Sequence, residues 1–121
     1  MARAKSSVAR HKRHKRTLKA ARGYVGGRSK LYRTAKETVM RARKYAYRDR
    51  RVRKRDFRRL WITRLTAGVR ASSLTYSKFI AALKKAGVEL DRKILAELAV
   101  NDPDTFQRII DLAKHNIAKD G

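Results

Sequence analysis

Between its first residue and Arg70 the chain carries 26 Lys+Arg and only three acids, Glu37, Asp49 and Asp56. Buried Lys and Arg need acidic or hydrogen-bonding partners, so no packed core can neutralise this stretch. From Ala71 to Gly121 the balance is ordinary, with 8 Lys+Arg and 7 acids. Nearly all of the formal net charge of +24 therefore sits on one half. An asymmetry of this size predicts a polyanionic partner, and the sequence pI of about 11.5 puts nucleic acid first.

At 121 residues the chain has the length of one domain rather than two. It has no cysteine, which removes disulfides, thiolate zinc sites and thiol catalysis, and fits a reducing compartment. No apolar run approaches the roughly 20 residues of a membrane-spanning helix. The opening MARAKSSVARHKRHKR is basic but lacks the apolar stretch of a secretory signal. An organellar transit peptide would share its Arg-rich, acid-poor character, but here that character runs on to Arg70.

Residues 1–22 hold nine cations and no acid. Their sizeable apolar residues besides Met1 are Val8 and Leu18, too few to offset ordering entropy, so alone this tail is expected to be disordered or at most nascent helix. Gly23-Tyr24-Val25-Gly26-Gly27 reads as a bend. From Arg28 to Ala67 there is neither Gly nor Pro, and good helix formers dominate. Tyr32, Ala35, Val39, Ala42 and Ala46 keep a narrow helical stripe. Between Arg41 and Arg59 charge goes all round, and two acids cannot serve eleven cations. A helix polar on every face either bridges something or is held by outside partners, and here the partner must be anionic.

From Phe57 the spacing Phe57, Leu60, Trp61, Leu65, Val69 predicts a buried face that anchors the long helix in a globular domain, with Gly68 and Ser72-Ser73 forming the exit turn. Three short helices follow. Thr75 caps the first, with Phe79, Ile80 and Leu83 inside and Gly87 as its stop. Asp91 caps the second, with Ile94, Leu95 and Leu98 inside. Asp102 followed by Pro103 opens the third, whose stripe is Phe106, Ile109, Ile110, Ala113 and Ile117. The expected class is all-α, with a basic extension over 1–56 and a small helical domain over 57–121.

The run from Tyr45 to Arg59 is the strongest chemical signal. Guanidinium forks onto phosphate bidentately and stacks on bases, and interleaved tyrosines suit base or sugar stacking. The residues assigned to the anionic partner are Arg10, Lys12, Arg13, Lys15 and Arg16 in the tail, then Arg22, Tyr24, Arg28, Tyr32 and Arg33. Along the long helix they are Tyr45, Tyr47, Arg48, Arg50, Arg51, Arg53, Lys54, Arg55, Arg58, Arg59 and Arg64. In the last third, Lys78, Lys84, Lys85, Arg92 and Lys93 are candidates for setting register. His11 and His14 are spaced for a shared metal, but they sit among cations with no carboxylate near, so no metal site and no cofactor is expected. Gly23-x-x-Gly26 matches a backbone-clamping loop that needs strands around it, and none is predicted. Trp61 fits either the core or a base stack. His115 falls near the last carbonyls of its helix with no partner that would make it catalytic. Glu89, Asp91, Glu97, Asp102 and Asp104 sit mostly at helix starts, where they cap. There is no Ser/His/Asp set, phosphate loop or metal cluster, so no enzyme is expected.

Several blocks together resemble a known family. They are Ala21-Arg22-Gly23-Tyr24; Arg28-Ser29-x-Leu31-Tyr32-Arg33-x-Ala35-Lys36; Tyr45-Ala46-Tyr47-Arg48-Asp49-Arg50-Arg51; and Phe57-Arg58-x-Leu60-Trp61-Ile62-x-Arg64. Tyr76-Ser77-x-Phe79-Ile80, Leu83-Lys84-Lys85-Ala86 and Leu90-Asp91-Arg92-Lys93 complete the set. Over almost its full length the chain resembles the family of the twentieth protein of the bacterial large ribosomal subunit, departing at Thr66, where the family more often has Asn. The resemblance implies a basic helical extension threaded into large-subunit rRNA and a helical RNA-binding domain. It also implies early binding in subunit assembly, the twenty-first subunit protein as a neighbour and, in some members, repression of their own operon through its messenger RNA. The place implied is a ribosome, in the cytoplasm or an organelle. From charge and periodicity alone two rivals stay open: a nucleoid or transcription protein bound to duplex DNA, and a coiled-coil interaction protein. The helix from Asp91 offers few base-reading side chains, and sustained heptads are missing.

Overall fold

The computed structural model describes residue 3 and residues 5–121. Among them are five α-helices and no strand: α1 (Ser7–Ala20), α2 (Tyr32–Arg70), α3 (Tyr76–Lys85), α4 (Arg92–Asn101) and α5 (Pro103–Lys119), with a 3₁₀ turn at Gly26–Arg28. The chain divides into two compact units, 1–52 and 53–121, and α2 contributes residues to both.

In the first unit α1 is a formed helix where disorder or at most nascent helix was expected of the segment alone. Ser6 makes no side-chain cap and the first turn has no acid, so local signals do not explain it. Its far end does. Ala21, Ala35 and Val39 are buried together, with Leu18 and Tyr24 against them. Small side chains let the end of α1 approach the start of α2, and that contact holds a helix of moderate propensity. The bend between them has positive φ at Gly23 and Gly26, +90° and +62°, where a side chain would be strained. It also delays α2, which begins at Tyr32 rather than Arg28. The amides of Ser29 and Leu31 are already used by Gly26 and Gly27 carbonyls, at 3.3 and 2.8 Å.

In the second unit one cluster joins Leu65 and Val69 of α2 to Phe79, Ala82, Leu83, Leu95, Ala96, Phe106, Ile110 and Ala113. Helix α5 packs against both α3 and α4. The expected stripes hold at Phe79, Leu83, Leu95, Phe106, Ile110 and Ala113. Three expectations fail. Phe57 and Leu60 are 43% and 40% exposed and stand outside the cluster that Trp61, Leu65 and Val69 join. Ile94 is 43% exposed, one position before fully buried Leu95. Gly68 is no exit residue: a Cβ there would lie 2.8 Å from Phe106 Cε1, so the glycine permits close approach inside a continuous helix. The exit comes at Ser73, φ +64°, where the Leu74 and Ser73 amides bond the Val69 and Arg70 carbonyls at 3.4 and 3.0 Å. Gly87, φ +73°, ends α3 in the same way.

The three caps are where the spacing placed them. Thr75 accepts weakly from the Lys78 amide at 3.5 Å and Asp91 accepts from the Ile94 amide at 2.8 Å. Asp102 accepts from the Thr105 hydroxyl at 2.6 Å and the Thr105 amide at 3.2 Å. Those bonds, the hydroxyl's first, hold the Asp102 carboxyl below its ordinary range. A carboxylate with a lowered folded pKa stabilises fully above its unfolded value of about 3.9 and loses that contribution as pH falls through the folded value. Asp102→Asn keeps an acceptor without the charge. The melting midpoint of the second unit, read by Trp61 fluorescence, is therefore higher in the natural chain than in the variant at neutral pH, and the gap narrows on acidification. A gap independent of pH contradicts this role.

Candidate nucleic-acid interface

In the first unit Arg10, Lys12, Arg13, Lys15 and Arg16 are all exposed on α1, and Arg22, Arg28 and Arg33 are exposed around the bend and the start of α2. The two tyrosines assigned here have internal work. Tyr24 packs on the Ala21–Ala35–Val39 cluster. Tyr32 stacks on His14, with ring centroids 3.7 Å apart and planes 17° from parallel. Loss of solvation first, then the charges of Arg10, Arg13 and His11, hold His14 below its ordinary pKa.

Residues 43–51 of α2 are exposed at every position. Here the structure organises arginine on tyrosine. The Arg48 guanidinium lies 4.6 Å from the Tyr45 ring centre and Arg51 lies 4.7 Å from that of Tyr47. Arg51 also donates to the Tyr47 hydroxyl at 2.6 Å, and Arg48 donates to Asp49 at 2.9 Å. The bond to Asp49 raises the Arg48 pKa further. These three- and four-residue spacings follow from helical geometry, and each exposed cation–π contact contributes about 0.5–1 kcal/mol. Their larger effect is to fix flexible guanidiniums in place, with tyrosine rings beside them for a base or sugar to stack on.

In the second unit Arg53 lies 5.7 Å from the Phe57 ring centre, and Phe57 meets Trp61 at 6.1 Å. Trp61 is half-buried on the main cluster, so its core reading holds in part. Phe57 and Leu60 face solvent among Lys54, Arg55, Arg58, Arg59 and Arg64. This makes an apolar strip in a cationic field, a surface the sequence had assigned to the core. The clue was available: Phe57 has cations at three of the four positions before it and at both positions after it. Asp56 reaches Arg59 only at 4.0 Å, both exposed, a pair of small effect. Among the described residues Arg50, Lys54, Arg55, Arg58 and Arg64 have no acid within 4 Å. Of the register candidates, Lys85 pairs with Asp120 and Arg92 donates to the Tyr76 hydroxyl at 2.7 Å. Lys78, Lys84 and Lys93 stay exposed. Thr66, at the position of departure from the family, donates its hydroxyl back to the Ile62 carbonyl at 2.7 Å.

The described residues contain no group of three or more His, Cys, Asp and Glu placed to hold a metal, and no helix long and apolar enough to cross a membrane. What the surface offers is cations, many of them unpaired, on rigid helices with aromatic rings between them. A family model described as "Ribosomal protein L20" matches residues 3–109. A curated relative, the large ribosomal subunit protein bL20 of Carboxydothermus hydrogenoformans, is 58% identical over 117 residues, covering 97% of this chain and 100% of the relative. A match of that extent, together with the all-helical fold and the motifs from Ala21 to Lys93, shows that the chain belongs to the ribosomal protein L20 family, as a structural constituent of the ribosome.

Proposed function

We propose that the chain binds large-subunit rRNA directly and supports early assembly of the subunit, as its resemblance to the family implies. Residues 1–56 act as the RNA-binding extension and residues 57–121 as the helical domain that gives it register. The carrying observation is residues 43–51 of α2, exposed throughout, with arginines laid on tyrosines and one acid among them. RNA segments that repel one another can meet across such a surface, because its cations replace their counterions. The exposed Phe57 and Leu60 favour RNA over duplex DNA, since unpaired bases splay onto apolar and aromatic surfaces while stacked ones do not.

The same resemblance extends the proposal to the twenty-first subunit protein as a neighbour, to the chain's own messenger RNA as a second ligand, and to the cytoplasmic ribosome as the place of action. Chemical footprinting at equal salt tests the central point. The chain protects discrete sites in large-subunit rRNA and gives no discrete footprint on duplex DNA. Equal protection of both would return the reading to a nucleoid protein.

A further inference from the structure

Glu37 is the one acid among residues 1–48, on an arm whose proposed partner is phosphate. A carboxylate there repels that partner unless it accepts hydrogen bonds from it. Its ion pair within the chain does not account for it. Arg33 Nε stands 3.9 Å from Oε1, and the two side chains are 94% and 61% exposed, a geometry that contributes little.

Glu37 lines a groove of about 370 Å³ with Arg28, Thr34, Thr38, Arg41 and Tyr45. That volume lies in the range of ligand clefts, about 300–1,000 Å³. The α2 residues recur at three- and four-residue steps, so they form one flank of the helix, and Arg28 comes from the 3₁₀ turn. Arg41 has no acid within 4 Å among the described residues and is free for phosphate. The Thr38 hydroxyl donates to the Thr34 carbonyl at 2.8 Å, which leaves its oxygen able to accept. Tyr45 carries Arg48 on its ring. The groove thus combines one two-oxygen acceptor, two guanidiniums and an aromatic ring.

Among the four RNA bases, guanine alone sets two N–H donors side by side on its Watson–Crick edge, N1–H and N2–H, matching the two oxygens of a carboxylate. Adenine and cytosine each place an acceptor nitrogen beside their amino group, and that nitrogen would meet the second oxygen. Uracil flanks its single N–H with carbonyls. In a duplex the guanine donors are taken, so the base must be unpaired. Resting on the RNA-binding reading above, we propose that this groove takes one unpaired guanosine: Glu37 reads its Watson–Crick edge, Arg28 and Arg41 hold the flanking phosphates, and Tyr45 stacks on the nucleotide.

The test uses the full chain and fluorescence-labelled single strands at one salt concentration: an oligouridine, the same strand with one central guanosine, and one with inosine, which lacks the N2 amino group. Guanosine tightens binding about tenfold, inosine loses most of that gain, and in Glu37→Gln the guanosine strand and oligouridine differ by less than about twofold. Affinity of the variant for oligouridine holds or rises, since a negative charge has gone from a cationic arm. Unchanged circular dichroism shows that the variant is folded, as expected for an exposed residue. A guanosine preference that survives Glu37→Gln, or none in the natural chain while oligouridine binds with steep salt dependence, overturns the groove alone. If no strand binds in a salt-dependent way, the RNA-binding reading falls with it.

Discussion

Raising monovalent salt from about 50 to about 200 mM is expected to weaken the proposed binding to large-subunit rRNA by about 10⁴–10⁵-fold. The expectation follows from how few of the cations are satisfied inside the chain. Of the ion pairs among the described residues, Arg33–Glu37 and Arg59–Asp56 are long and exposed, and Lys85–Asp120 lies outside the basic half. Only Arg48–Asp49, at 2.9 Å, is close in that half. Most of the remaining cations stand on helices, so the backbone that carries them is already ordered when phosphate arrives. Contact with about 10 phosphates gives log K against log salt a slope of about −7 to −9. Replacing one unpaired arginine, such as Arg55→Ala, flattens the slope by about 1 and weakens binding evenly across RNA sequences. Filter binding over a salt series reads both. A slope shallower than about −3 contradicts a phosphate-dominated interface.

Phe79→Ala destabilises the second unit by about 3–5 kcal/mol. Phe79 is fully buried and meets Phe106 edge-to-face at 6.0 Å and 61°, near the centre of the cluster that joins α2 to α3–α5. A unit spanning 53–121 has about 3–10 kcal/mol in all, so the variant stands at the edge of unfolding. Trp61, the single tryptophan, packs on that cluster and reports its loss by fluorescence in a urea titration. Phe57→Ala is the matched control. An exposed phenylalanine gives a change within about 0.5 kcal/mol, even though helical spacing puts Phe57 on the same stripe as Trp61 and Leu65. Equal losses at Phe57 and Phe79 would mean that the burial described here is wrong.

Much of the second unit was legible because its signals are local. Asp91, Asp102, Pro103 and Gly87 mark helix ends by chemistry that acts within one turn, and Leu65, Val69, Phe79 and Phe106 repeat at helical spacing. Illegible features were those that depend on what lies opposite. Periodicity carries Phe57 and Leu60 onto the core stripe, but nothing says where the neighbouring helices stop. Gly68 looks like a helix terminator until Phe106 of α5 is found against it. The order of α1 was hidden because it rests on alanines: Ala21 and Ala35 count for little as apolar residues, yet small size is what allows the close approach. At the proposed interface, cations and tyrosines were picked out by residue type alone. That Arg48 and Arg51 lie on Tyr45 and Tyr47, while Tyr24 and Tyr32 are engaged internally, depends on the folded arrangement and is not carried by residue type.

The small cluster at Ala21, Ala35 and Val39 shares no buried residue with the larger one. Between them, residues 43–51 are helical without any apolar support from the chain. Heating therefore dismantles the chain in stages rather than in one cooperative step, with helix lost where no cluster guards it before the fluorescence of Trp61 changes. A midpoint taken from total ellipticity averages unlike events. The chain has no single unfolding free energy, only one for each region that melts together.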